Sequence, residues 1–248
     1  AELDEIDTDF AATVTGTAAA TDLSAIALAT SGNIDASGVT TITGTSTQIM
    51  AAHNDAELDE IDTDFAATVT GTAVATELSA IAAATSGMIT TTNVTGITGS
   101  STEIISALMN NEITLDDDYT IDATGTTSVA HANIFDSATT GVVTANITDT
   151  AENLADLTGT TGAYTVTLTA DAAAATLAEL VAINAATTGA ITLNAATIAE
   201  DYSGTAADLA AAFAGTVTEH TGTVTLTAGE AAATLAELVA INAATTGA

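Results

Sequence analysis

The chain has 248 residues, 47% of them hydrophobic but only 3% aromatic, with no Lys, Arg, Pro, Cys or Trp and a formal charge of -32. Nucleic acid and anionic membrane surfaces are thereby excluded as partners, because both are held by Lys and Arg, and disulfides and thiolate metal sites are excluded with the missing Cys. The apolar fraction excludes a disordered acidic tail, and the shortage of large side chains points to a thin core of Ala, Val, Ile and Leu such as stacked repeat units bury.

In chain order, the segment Ala1 to Phe10 recurs as Ala56 to Phe65, about 55 residues further on. Thr176 to Asn184 recurs as Thr234 to Asn242, a shift of about 58 residues. Within these long repeats a phrase of the form aliphatic–Thr–Gly–Thr marks shorter coils. It reads Val14-Thr15-Gly16-Thr17, Ile42-Thr43-Gly44-Thr45, Val69-Thr70-Gly71-Thr72 and Ile97-Thr98-Gly99-Ser100, with weaker versions further on. The phrases predict coils of about 26 residues over a single array, 1–248, starting near 17, 45, 72, 100, 126, 150, 171, 205 and 229.

Each phrase reads as strand, turn and helix start. Alternating Thr and aliphatic residues, as in Thr165 to Thr169 and Thr223 to Thr227, predict strands. Capping boxes at Thr45/Gln48, Ser100/Glu103, Thr176/Glu179 and Thr234/Glu237 predict helix starts. Apolar residues follow at helical spacing, for example Leu23 with Ile26, Leu78 with Ile81, and Leu177, Leu180 and Ile183. Gly32, Gly87 and Gly189 close three of these helices, and Ile34, Ile89 and Ile191 open the next strands. The fold class expected is an α/β repeat solenoid of stacked parallel strands and short Ala-rich helices, with an all-β solenoid as the alternative. The last copy stops at Thr246-Gly247-Ala248, where the earlier one continues Ala190-Ile191-Thr192-Leu193, which predicts a unit of a longer array.

The Thr-Gly-Thr-Ala-Ala helices, the Ala-Ile-Asn-Ala-Ala-Thr-Thr-Gly-Ala-Ile-Thr-Leu links and Asp149-Thr150-Ala151-Glu152-Asn153-Leu154 resemble repeat regions of giant secreted bacterial surface proteins, adhesins and calcium-dependent layer components. The resemblance covers essentially the whole chain. It implies a secreted or cell-surface location, a structural role and possible calcium. The Gly-Gly-x-Gly-x-Asp nonapeptides frequent in such proteins are absent.

Three readings of the polar residues follow. The clusters Asp4, Asp7 and Asp9, their copies Asp59, Asp62 and Asp64, and the run Asp116, Asp117 and Asp118 supply closely spaced carboxylates, the oxygen ligands that calcium prefers; solvated acidic loops are the alternative. His53, His131 and His220 are scattered and predict no zinc site. No P-loop, dinucleotide fingerprint or nucleophile elbow is present, so no enzyme is expected. Rows of Thr on stacked strands would form a hydroxyl face for carbohydrate or ice. The function expected is an extracellular structural repeat protein, a segment of a layer, filament or adhesin stalk that self-associates head-to-tail or laterally. The alternative is a binding module that uses the Thr face.

Overall fold

The computed structural model describes residues 9–59, 61–159, 162–170, 172–227 and 232–247. It is an α/β fold in which parallel strands alternate with helices. The chain divides into two compact units, Ala1–Tyr119 and Thr120–Ala248.

The first unit runs β1 (Ala12–Ala19), α1 (Ala20–Ala29), β2 (Ile34–Gly44), α2 (Ser46–His53), β3 (Leu58–Asp59), β4 (Ala66–Val74), α3 (Ala75–Ala84), β5 (Ile89–Ser100) and α4 (Ser101–Leu108). Its strands pair in parallel and in chain order: β1 with β2, β2 with β4, and β4 with β5, while β3 joins the first residues of β2. The duplication seen in sequence is a duplication of register. Ala12 faces Ile34 as Ala67 faces Ile89, and both ladders slip at equivalent places, after Thr13 and Gly16 in one and after Thr68 and Gly71 in the other. One long repeat is therefore two strand–helix passes.

Those slips correct the expected turn. Gly16 (φ +78°) and Gly71 (φ +71°) lie inside β1 and β4, where they take the left-handed conformation of a bulge while pairing continues. The strands run on to Ala19 and Val74, and α1 and α3 start there with no side-chain cap. At Gly44 and Gly99 the same phrase does end a strand, because Thr45 and Ser100 cap the helices that follow. All four predicted capping boxes are present; the Thr45 amide donates to Gln48 Oε1 at 3.0 Å and the Ser100 amide to Glu103 Oε2 at 2.7 Å.

The predicted Gly stops are also displaced. Helix α1 ends at Ala29, and Gly32 belongs to the link that follows. There Thr30 leaves the helix in an extended conformation, donates its hydroxyl to the Phe10 carbonyl and accepts from the Gly32 amide at 2.9 Å. Thr85 repeats this with Phe65 and Gly87, and Thr187 with Tyr164 and Gly189. Glycine is required by close approach: a Cβ on Gly189 would lie 2.2 Å from the Tyr164 carbonyl oxygen. Each Ala-Thr-Ser/Thr-Gly link thus ties a helix end to the start of the preceding strand.

The sheet buries one face. Ile34, Ala36, Val39 and Ile42 of β2 are buried, while Asp35, Ser37 and Thr40 between them are exposed. Leu23, Ile49, Leu78 and Ile104 close the core from the helices, which pack side by side in chain order, α1 to α4.

The second unit runs β6 (Thr120–Thr127), α5 (Val129–Ala138), β7 (Val143–Asp149), α6 (Ala151–Leu154), β8 (Thr165–Leu168), α7 (Leu177–Ala186), β9 (Ile191–Thr192), α8 (Ala195–Ala199), β10 (Tyr202–Gly204), α9 (Ala206–Ala212), β11 (Val224–Leu226) and α10 (Leu235–Ala244). Strands β6 to β9 again pair in parallel and in chain order, and β10 with β11 forms a separate parallel pair. Helix α8, capped by Asn194, is an element the coil spacing did not predict, whereas α7 and α10 begin at Leu177 and Leu235, where the Thr176 and Thr234 capping boxes predict them. The helices following these strands exclude the all-β alternative.

Candidate functional surface

Among the described residues, the acidic side chains do not gather into a metal-binding group. Asp4 and Asp7 lie outside the described residues. Asp9 is exposed in a turn, Asp59 ends β3, and Asp62 and Asp64 are exposed on the segment leading into β4. Asp116, Asp117 and Asp118 are exposed ahead of Tyr119. Among the described residues, no three His, Asp or Glu side chains come together at metal-binding distance. Several carboxylates instead accept hydrogen bonds from neighbouring hydroxyls and backbone amides. The Ser37 hydroxyl, at 2.6 Å, and then the Ser37 amide hold the Asp35 carboxyl below its usual range. The cap amides of Ser100 and Thr234 do the same for Glu103 and Glu237.

Nor do the histidines converge. His53 stacks by Phe65, His131 lies on α5, and His220 is fully buried among Tyr202 and Phe213, with Nε2 2.8 Å from the Glu200 carbonyl. Burial pushes the Tyr119 and Tyr164 hydroxyls up to about 12 and Tyr202 higher still; Tyr202 donates to the Ala175 carbonyl at 2.6 Å. These tyrosines are neutral packing residues at ordinary pH. Sequence reading did not foresee this aromatic cluster, whose members are separated along the chain and share no motif.

On the open face of the sheets, Thr43, Thr68 and Thr90 lie in register across three strands, as do Thr148, Thr167 and Thr192. The rows are broken elsewhere, where Thr15 faces Gly38, Thr70 faces Asn93 and Thr126 faces Asn146. The register slips at the bulges prevent a uniform hydroxyl lattice. An open cleft of about 570 Å³ lies in the first unit against Met88, Thr90, Thr92, Glu112 and Asp116.

A further surface involves α7 and α10, which share one ten-residue sequence, Leu-Ala-Glu-Leu-Val-Ala-Ile-Asn-Ala-Ala. Helix α7 packs between α6 and α9, and Leu180 is 1% exposed. Its Leu177 methyl sits where a Cβ on Gly204 would go, 2.5 Å away, and its Asn184 amide donates to the Ala212 and Ala214 carbonyls at 3.3 and 2.7 Å. Helix α10 packs on α9, and its equivalent Leu235, Leu238 and Val239 are 78%, 38% and 59% exposed. Asn242 is exposed too, without a hydrogen-bond partner among the described residues.

Compared with protein-family models, curated proteins and solved structures, the chain matches none. Among the described residues no helix is long and apolar enough to cross a membrane.

Proposed function

We propose that this chain is an extracellular structural repeat protein, a solenoid segment of a surface layer, filament or adhesin stalk, with no catalytic role. The observation that carries the reading is the one-faced parallel sheet whose main strands, β1, β2, β4 and β5 in one unit and β6 to β9 in the other, pair in chain order. A doubly wound nucleotide-binding fold covers both sheet faces with helices and reverses its strand order at a switch point, where the ligand sits. Here one face is left to Thr, Asp and Ser, and the order β1, β2, β4, β5, like β6 to β9, has no reversal. Side-by-side helices and a register repeated from pass to pass are what a solenoid requires.

Several features support an extracellular structural role. A chain with no Lys or Arg offers no trypsin-type cleavage site. An all-acidic surface needs a cation atmosphere, so cations condense on the exposed carboxylates as screening ions. Electron microscopy of the purified protein, with millimolar calcium or about 0.5 M NaCl to screen its charge, tests the reading. Ordered filaments or sheets are expected, and dispersed single particles under every condition would contradict it.

A further inference from the structure

We propose that Asn93 and Asn146 are N-glycosylation sites on the open faces of the parallel strands. The inference rests on the extracellular reading above, because oligosaccharide transfer to asparagine acts on exported chains. Each residue heads an Asn-x-Thr triplet with no proline in the middle, Asn93-Val94-Thr95 in β5 and Asn146-Ile147-Thr148 in β7. Strand alternation sets the geometry. Val94 and Ile147 are buried, whereas Asn93, Thr95, Asn146 and Thr148 are exposed. In each triplet the amide and the hydroxyl two residues on therefore stand on the same open face. The extended backbone thus presents both groups that define the acceptor motif, the nitrogen that is modified and the hydroxyl that is recognised.

Neither asparagine serves the fold. Asparagine is disfavoured in strands, and among the described residues Asn93 and Asn146 are the two that strands contain. Their side chains have no hydrogen-bond partner among the described residues. By contrast, Asn133, Asn184 and Asn194 each donate to a carbonyl of another pass. The duplication supplies an internal control. In the earlier copy the position of Asn93 is taken by Gly38, which meets Thr15 as Asn93 meets Thr70, so the register does not call for asparagine. Asn146 lies between Thr126 of β6 and Thr165 of β8. These short neighbours leave room above the sheet for a bulky group. The chemistry is a substitution at the anomeric carbon of an oligosaccharide carried on a lipid pyrophosphate. The asparagine side-chain nitrogen attacks that carbon, the carbon–nitrogen bond forms as the bond to the pyrophosphate oxygen breaks, the lipid pyrophosphate leaves and the nitrogen gives up one proton. The chain is the substrate, and a transferase of the exporting cell is the catalyst.

The test is export of the full chain, behind a cleavable secretion signal, from a eukaryotic host that N-glycosylates its secreted proteins. Intact mass is measured, and peptides are mapped with a protease specific for acidic residues, since the chain has no Lys or Arg for trypsin. The expected product carries one glycan on each asparagine, and peptide N-glycosidase removes both and leaves Asp in their place. Asn93→Gln and Asn146→Gln are each expected to lose one glycan, and Thr148→Ala to lose the glycan at Asn146 although that asparagine remains. Because both residues stand outside the core, the glycosylated chain should keep the circular dichroism spectrum of the Asn93→Gln/Asn146→Gln double variant. A secreted, folded chain that lacks a glycan at Asn93 or at Asn146 overturns the assignment of that residue. A mass gain that persists in the double variant, or a fold lost on glycosylation, overturns the proposal as a whole. The added signal delivers the chain whatever its natural location, so each of these failures leaves the structural reading standing, and that reading is tested separately by electron microscopy.

Discussion

Helices α7 and α10 have the same ten residues and the same capping box, yet the Leu at their fourth position is 1% exposed in one and 38% in the other. Composition, propensity and cap are held constant, so the difference is the neighbour: α9 covers the far side of α7, and no described element covers the far side of α10. In these two helices burial follows the elements on either side rather than the helix's own sequence.

The comparison breaks most readily by truncation. Leu180→Ala should destabilise the protein by about 2–5 kcal/mol in urea unfolding, and Leu238→Ala, the same substitution in the same sequence, by less than about 1 kcal/mol. Equal losses would mean that burial does not distinguish the two helices. Next in size, Asn184→Ala removes the donor to two carbonyls and should cost about 1–3 kcal/mol, while Asn242→Ala in the monomer should leave the urea midpoint unchanged.

The shared cap gives a smaller effect that sharpens the contrast, because it should not differ between helices. Thr176→Ala and Thr234→Ala each lose a side-chain acceptor and should lower stability by about 1 kcal/mol. A helix-specific difference larger than that would show the neighbour acting on the cap too. The smallest effect is in pH. Glu237 and Glu103 have carboxyls held below the ordinary 4.5 by the cap amides and hydroxyls. A lowered folded-state value contributes stability that is fully present above 4.5 and is lost as pH falls through the lowered value. The melting temperature of wild type should therefore exceed that of Glu103→Ala at neutral pH, with the gap closing in strong acid. A gap that widened there would contradict the cap assignment.

Much of this fold is legible in sequence, and the residues show where legibility stops. Capping boxes are local, needing only a hydroxyl and a carboxylate or amide three residues apart, and all four are present. The duplication around Phe10 and Phe65 likewise reads directly as repeated register. The phrase around Gly16 misleads because a bulge glycine and a strand-ending glycine use the same residues; what separates Gly16 from Gly44 is the register met in the paired strand one pass away, which slips after Gly16 and runs evenly to Gly44. The acidic runs look alike as sequence, yet whether carboxylates converge depends on loops that no local pattern sets. The exposure of Leu235 was beyond reach of local reading altogether, since its sequence context is that of Leu177.

Residue-resolved amide hydrogen exchange by NMR on the monomer at low salt tests the central claim most directly, because identical sequences in α7 and α10 share intrinsic exchange rates. The account predicts strong protection across α7 and weak protection across α10. Equal protection of the two helices in the monomer would contradict it.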